Sequence, residues 1–551
     1  MREDNLILKN PLVSVLASII MGSLVYASDF NSGYIIVSLV IFLLISLLGG
    51  YKSTACIFLF FILSIGNNFF YYSIPFVPEG NYSVRITGKC FEEYKGIYKG
   101  RRILIKENYL KLNVGSRYLI RGEFMPDSDK SQGTAGIIYQ EGCSYEFKDM
   151  VSYLYKYKEK VYEEIKKYSD KETAAMISAI SFGYTDELSS EQKNDMKYWG
   201  LIHIVSVSGF HLAMIYKILE KTAGYKAALV VCAFYVVFTG SSSPALRAFI
   251  MIIVLKMGEK FFREYNPISA LAFSGILICL TTPYSPLDLG FQLSYLATAG
   301  IILFNNRLNK YFHALPKYIR ESLAISISPQ ILSLPVAGIS IGGISLNSML
   351  TNLILMPFFS LIVILGNLLL ITYEWRGLFL VIVRISYMIT ILINRLLSIL
   401  KYISLPIVNT EKEIIYFYII CLGCFYFVKE GFEQFKYFPA FITIPLIICI
   451  YSPLVKINIE KGRELRVSYR GRINRYNLFN NKIIENDIYR DKIPLNSSGD
   501  CMFVRGNNLC IKLHSNDVYC FSMTKSTEKC GIITFKEEEI IFVLGQMIIR
   551  F

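Results

Sequence analysis

Long apolar runs separated by short charged stretches fill most of this chain, and two polar, strand-prone stretches interrupt them. A bilayer core needs about 20 apolar residues per helix. Runs of this kind lie near 11–28, 33–50, 53–72, 201–219, 226–240, 244–258, 267–282, 289–305, 323–343, 347–371, 378–400, 412–428 and 438–453. Between 79 and 149 the period shortens to two, as in Tyr82-Ser-Val-Arg-Ile86, Arg102-Ile-Leu-Ile-Lys106 and Tyr118-Leu-Ile-Arg-Gly-Glu-Phe124. Four to six strands at that spacing predict a small β-barrel or sandwich. Residues 150–199 are charged and helical, suited to a membrane interface, and 455–551 are polar and strand-prone again. The pattern predicts a polytopic α-helical membrane protein of about 13 spans. It has five segments: N-terminal helices (1–78), a β unit (79–149), interfacial helices (150–199), a helical body (200–454) and a β-rich tail (455–551).

Composition agrees: 53% of residues are hydrophobic, 18% are charged, and mean hydropathy is +0.42. The net charge of +14 resides largely in loops. Arg307, Lys310, Lys317, Arg320, Lys256, Lys260, Arg263, Lys52, Lys217, Lys221, Lys429 and Lys436 fall on one side if the spans alternate. The positive-inside rule makes that side cytoplasmic. The N-terminus is then cytoplasmic, and residues 73–200, 401–411 and everything after 454 are external. The basic excess is therefore topogenic and no argument for a nucleic-acid partner.

Six of the 12 cysteines lie in spans; Cys90, Cys143, Cys501, Cys510, Cys520 and Cys530 all lie in segments assigned outside. Confinement to the oxidising face predicts disulfides, with Cys90–Cys143 one pair and three connectivities open for the tail. No metal site is predicted: the tail cysteines and His514 lack the close pairs of strong zinc sites. No cofactor is predicted either, and no phosphate-binding Gly-x-x-x-x-Gly-Lys loop occurs.

The richest chemistry is His203-Ile-Val-Ser206-Val-Ser208-Gly209-Phe-His211, two imidazoles, two hydroxyls and a glycine in an apolar run. Such groups in hydrocarbon cost free energy unless they face a partner, a cavity or a wet path. On a continuous helix the four polar side chains would cover an arc of about 200°. That arc fits pore lining, or a hydrogen-bonded packing knot. Arg247, one turn after Pro244, either meets anions or snorkels. Arg384 and Arg395 share a helix face about 16 Å apart, a basic stripe that needs a cavity or acids. Gln292, Ser294, Asn347 and Asn352 suit helix–helix hydrogen bonds as well as a path. Pro329 and Pro335 predict a broken helix. In the β unit, Tyr94, Lys95, Tyr98, Lys99, Arg101 and Arg102 interleave rings and cations, which suits single strands or a plain solvated hairpin.

The 203–211 stretch is similar to the signature of the ComEC competence family, channel proteins for DNA internalisation. The lead-in Ser178-Ala-Ile-Ser-Phe-Gly183 to Trp199-Gly-Leu, Ser243-Pro-Ala-Leu-Arg-Ala248, Pro286-Leu-Asp-Leu-Gly-Phe-Gln-Leu-Ser-Tyr-Leu-Ala297, Pro329-Gln330 and Thr351-Asn-Leu-Ile-Leu-Met-Pro357 follow in the family's order. The resemblance covers roughly residues 1–454. It implies an external OB-type β unit and a plasma-membrane channel that takes up single-stranded DNA in natural transformation. It also implies two partners, a cytoplasmic translocase ATPase and a surface DNA receptor. One feature departs: the metallo-β-lactamase-like domain of many members needs a His-x-His-x-Asp-His cluster, and after residue 454 there is only His514. No enzyme is expected in this chain, and any nuclease is separate. Two other readings stay open: a transporter or lipid-active protein on the same scaffold, and an intramembrane serine hydrolase built on Ser206, Ser208 and a histidine.

Overall fold

The computed structural model describes residues 10–30, 32–33, 35–36, 38, 51–73, 79–90, 93–106, 112–126, 130, 132–145, 149–205, 208–341, 345, 347–404, 412–429 and 433–439, with the tail strands given below. It divides into two compact units, 1–340 with 344–408, and 341–343 with 409–551.

The first unit opens with α1 (Pro11–Ala27) and α2 (Tyr51–Tyr72). Their contact is polar at its centre: Asn68 donates to the Ser23 hydroxyl and Ser23 meets Ser64 at 3.1 Å. Five strands follow, β1 (Glu79–Cys90), β2 (Glu93–Tyr98), β3 (Arg101–Lys106), β4 (Arg117–Met125) and β5 (Thr134–Tyr145). They close into a barrel of order β1-β2-β3-β5-β4, with β3 and β5 parallel. A register shift between Ile86 and Gly88 lets the first half of β1 pair with β4 and the second with β2. The period of two is borne out: Tyr82, Val84, Ile86, Ile103, Ile105, Tyr118 and Ile120 fill the core.

The register overturns the predicted Cys90–Cys143 disulfide. Cys143 faces Ile120 on β4, which faces Tyr82, and Cys90 stands eight residues further along β1 opposite Glu93. A disulfide tolerates a Cα separation of about 7 Å at most, and Cys143 is a free thiol.

Helices α3 (Met150–Tyr168), α4 (Lys171–Phe182), α5 (Ser190–Tyr198) and the single turn α6 (Ile202–Val205) lead to the main body. Asp149, Asp170 and Ser189 cap α3, α4 and α5 through backbone N–H groups. The interfacial expectation fails for α4. Every residue from Thr173 to Phe182 is buried, so the helix lies in the protein core instead of at a membrane surface.

The body comprises α7 (Gly209–Phe238), α8 (Ser243–Lys260), α9 (Pro267–Thr281), α10 (Leu289–Tyr311), α11 (Lys317–Ile341), α12 (Ser348–Thr372) and α13 (Arg376–Lys401). Gly224 interrupts α7 with non-helical angles (φ 83, ψ 162). Straight, 30 residues would extend about 45 Å. Yet Gly209 lies against Arg247 and Ala248, and Ala248 is only ten residues past Phe238. So α7 is a hairpin turned at Gly224, matching the two predicted spans 201–219 and 226–240. Among the described residues, four uninterrupted helices are long and apolar enough to cross a membrane, Thr54–Tyr72, Lys317–Ser340, Ser348–Thr372 and Arg376–Lys401, and the hairpin Gly209–Phe238 reaches that length and apolarity only when its two halves are taken together. The predicted spans at 33–50 and 438–453 lie almost wholly outside the described residues.

Two expectations about α11 and α12 change. Pro329 and Pro335 sit inside one continuous helix instead of breaking it, and Ser333 donates to the Pro329 carbonyl at 2.9 Å. Strict alternation also fails. Tyr157 donates to the Leu370 carbonyl and packs on Tyr373 at 5.7 Å, while its neighbour Lys158 reaches the Phe238 ring. The chain after Phe238 and the chain after Thr372 thus lie at one level, where alternation assigns them to opposite faces. The reason is the start of α12: Gln330, halfway along α11, donates to Ser348, so α12 begins beside the middle of α11.

Among the described residues the second unit contains α14 (Lys412–Lys429) and twelve strands: β6 (Val455–Glu460), β7 (Glu464–Tyr469), β8 (Arg472–Phe479), β9 (Lys482–Glu485), β10 (Ile488–Arg490), β11 (Ile493–Pro494), β12 (Cys501–Arg505), β13 (Asn508–Lys512), β14 (Val518–Ser522), β15 (Ile533–Thr534), β16 (Glu539–Val543) and β17 (Gln546–Arg550). They form a sheet of order β10-β9-β8-β7-β6-β16-β17 and another of order β11-β12-β13-β14-β15. Register sets Cys510 opposite Cys520 and Cys501 opposite Lys512; Cys530 lies outside the described residues.

Candidate functional site

The 203–211 stretch is not one helix, so the predicted 200° arc does not form. Helix α6 ends at Val205, Ser206 lies outside the described residues, and Ser208 is extended (φ −97, ψ 166) ahead of α7. The reason is capping. The Ser208 N–H donates to His211 Nδ1 at 2.8 Å, and the Ser208 hydroxyl stands 3.2 Å from the same nitrogen. His211 thereby does what a glutamate does in a capping box, and its proton sits on Nε2. His203 uses the other tautomer, with Nδ1 donating to the Gly200 carbonyl at 3.0 Å. Gly200 (φ 70) turns the chain against Ser348, where a Cβ would collide.

Gly209 opens space for a cation. A methyl group there would sit 2.5 Å from Arg247 Nη2 and 3.1 Å from the Ala248 methyl. The Arg247 guanidinium donates from Nη1 to the Ser294 carbonyl at 2.5 Å, the Ser294 hydroxyl at 2.6 Å and the Thr298 hydroxyl. Its Nε has no partner, and no carboxylate pairs with it among the described residues. A guanidinium inside a helical bundle is held by neutral oxygens alone, which leaves a positive charge beside the signature segment. The structure thus brings together Ser208, Gly209, His211, Arg247 and Ser294.

It separates the others. Gln292 donates to the Pro286 carbonyl at 2.7 Å and braces the turn before α10. Asn352 has a buried side-chain oxygen with no partner, beside the Asn347–Thr351 turn that holds the Tyr198 and Trp199 carbonyls. Arg384 and Arg395 lie on the exposed side of α13, opposite buried Val383, Ser386 and Thr390. Thr298 was missed, although Ser294-x-x-x-Thr298 in one predicted span places two hydroxyls on one face.

The β2–β3 hairpin is a docking element, not an open platform. Tyr94 is core, 4% exposed, and Tyr98 packs edge-on against Tyr82. Arg101 donates to the Phe70 carbonyl at 2.6 Å. The Arg102 guanidinium lies 4.3 Å over the Tyr284 ring and 3.5 Å from Asp288, a cation–π contact backed by an ion pair. Lys95 and Lys99 stay exposed; Lys99 (φ 45) and Gly100 (φ 79) make the two-residue turn.

Helix α3 is the second bridge from barrel to body. Arg85 pairs with Asp149, and Ser152 donates to the Gly115 carbonyl at 3.0 Å. Burial works against the Asp149 charge, but hydrogen bonds from Ser152 and the Arg85 guanidinium hold its carboxyl below the usual range. Lys158 occupies the apolar stripe of α3, 4% exposed and 4.9 Å from the Phe238 ring. Burial pushes its ammonium down to about 8, against the pull of Asp186. Because the unfolded chain keeps its proton up to the ordinary lysine range, stability rises with pH from about 8 to 10.5 and the penalty is full below 8. Lys158→Met is expected to raise the melting temperature at pH 7 by several degrees and much less at pH 10. Equal gains at both values would contradict a buried charge.

These features define a multi-pass helical membrane protein that carries a closed five-stranded barrel and a cationic polar cluster in its helical body. Residues 180–430 match the family model described as competence protein. That segment, a little under half of the chain, is similar to the competence-protein family. The chain is 23% identical over 210 residues to ComE operon protein 3 of Bacillus subtilis (strain 168), covering 35% of this chain and 26% of that one. Uncharacterized proteins of Aquifex aeolicus (strain VF5), 30% identical over 154 residues, and Mycoplasma genitalium (MG316), 29% over 140, match 27% and 23% of the chain. The match covers 36% and 35% of those two relatives. No solved structure matches.

Proposed function

We propose that this chain is a bacterial plasma-membrane channel subunit that passes single-stranded DNA inward during natural transformation. The observation that carries the reading is Arg247: a guanidinium inside the helical bundle, held by Ser294 and Thr298 without a carboxylate, against the Gly209 backbone of the family's signature segment. A cation so placed attracts an anion, and each nucleotide brings one phosphate. In this reading the barrel is of OB type and external, the N-terminus is cytoplasmic, and a cytoplasmic ATPase, a surface DNA receptor and a separate nuclease act with the chain.

The test is uptake of end-labelled DNA into a nuclease-protected compartment, with and without the gene. Unchanged uptake in the deletion strain ends this reading. Ser208→Ala separates it from the hydrolase alternative. Alanine keeps the Ser208 backbone N–H that donates to His211 and loses only the hydroxyl arm of the cap, so uptake is expected to fall severalfold at most; loss of a nucleophile would abolish turnover.

A further inference from the structure

Helix α3 turns its apolar stripe inward, where Val161, Tyr162 and Ile165 join the core. Its outward side carries a different pattern. Tyr153, Lys156, Tyr157 and Lys160 recur at three- and four-residue spacing, which places all four on one face. Together with Ser152 they line a cavity of about 290 Å³. Tyr153 is 61% exposed. The Tyr157 ring is fixed by its bond to the Leu370 carbonyl and its packing on Tyr373, so ordering it for a ligand costs little entropy. Among the described residues Lys160 has no carboxylate partner, whereas on the next turns Lys166 and Lys167 are matched by Glu163 and Glu164. Lys160 therefore brings an unpaired ammonium to the cavity, beside the Lys156 side chain, in the half of α3 nearest the barrel.

We infer that this face of α3 is a binding site for single-stranded nucleic acid, rings stacking on bases and amines following phosphates, between the barrel and the helical body. The inference rests on the uptake reading above and names where the strand runs. Three observations support it. The β2–β3 hairpin, the sequence's own choice for this task, is taken up in docking through Arg101 and Arg102. Helix α3 is joined to the barrel at one end, through Asp149 and Ser152, and to the body through Tyr157 and through Tyr168, which Arg376 meets at 3.3 Å. Rings interleaved with cations are what sequence-tolerant single-strand binding uses. A lipid surface fits less well. A helix lying in headgroups needs aliphatic residues on its outward side, and beyond Met150 at its start this face offers only tyrosine rings and charges.

The experiment measures binding of a fluorescent oligothymidylate to the full-length protein in detergent across a salt series, with association to anionic phosphatidylserine vesicles measured in parallel. Tyr153→Ala with Lys156→Ala and Lys160→Ala is expected to weaken oligonucleotide binding at least tenfold. The slope of log affinity against log salt should become shallower by about 1.4, two phosphate contacts' worth. Tyr153→Phe with Lys160→Arg should restore binding. Because Tyr153 and Lys160 are exposed, the single variant Lys160→Glu serves if the triple variant does not fold, with the same direction expected. Unchanged oligonucleotide affinity, no binding by the unaltered protein, or a loss confined to vesicle association each overturns the inference. Normal uptake by the deletion strain overturns the underlying reading instead, so the two failures are distinguishable.

Discussion

Arg247→Ala is expected to lower internalised, nuclease-protected DNA by about a hundredfold or more while the protein accumulates normally. The guanidinium satisfies two hydroxyls and the Ser294 carbonyl, but all three are neutral. Replacing it removes a buried charge together with its hydrogen bonds. These effects oppose each other in stability, because an unpaired internal charge is itself costly. In transport they do not oppose: an anion passing the site loses its cation in surroundings that screen charge poorly, where one such contact is worth several kcal/mol. Arg247→Lys keeps the charge but cannot hold three acceptors with a planar fork, so an intermediate loss is expected. Protected label and an immunoblot of membranes check both variants. Uptake by Arg247→Ala within twofold of the parent would remove the cluster from the path.

The second large effect is structural. Gly366→Leu is expected to leave little folded protein. A Cβ at Gly366 would overlap the Ser181 side chain of α4, and the partner wall cannot retreat. Ser181 donates to the Ile362 carbonyl at 3.1 Å, and its own carbonyl accepts from Tyr235 at 2.7 Å and Asn367 at 3.2 Å. One small residue thus lets α4, α7 and α12 meet around a hydrogen-bonded knot, the packing device used where helices lack a hydrophobic drive to associate. Overpacking of this kind costs about 3 kcal/mol or more. Size-exclusion profiles and melting in detergent measure it. Gly377→Leu is the control, since nothing approaches Gly377 within 4 Å. A Gly366→Leu protein that melts with the parent would refute the packing argument.

The apolar runs revealed the helices, and the period of two revealed the barrel, because burial in both is written in side-chain spacing. Residues 203–211 show where that stops. Their composition marked them as polar inside an apolar body, but a helical arc assumed continuity, and nothing in the spacing announced that His211 would cap a new helix from Ser208. The β2–β3 hairpin shows a similar limit. Tyrosines and arginines that suit nucleic acid equally suit a docking seam, and only the contacts with Phe70, Tyr284 and Asp288 decide between them. Lys158 was more legible than it looked, as a cation standing where α3 needed an apolar side chain. The start of α12 was not legible at all. Counting spans presumes each one finishes its passage, and the Gln330–Ser348 contact is a tertiary fact.

That contact bears on how the orientation of the chain is determined. Reporter enzymes fused to successively longer fragments sense only the parity of the segments already made. A fragment ending before Ser348 lacks the hydroxyl to which Gln330 donates, so its tail is free to emerge on whichever face its charges prefer. Tags inserted into the whole protein, or cysteines labelled in intact cells, sample the finished arrangement, and at residues 371–377 the two approaches should disagree.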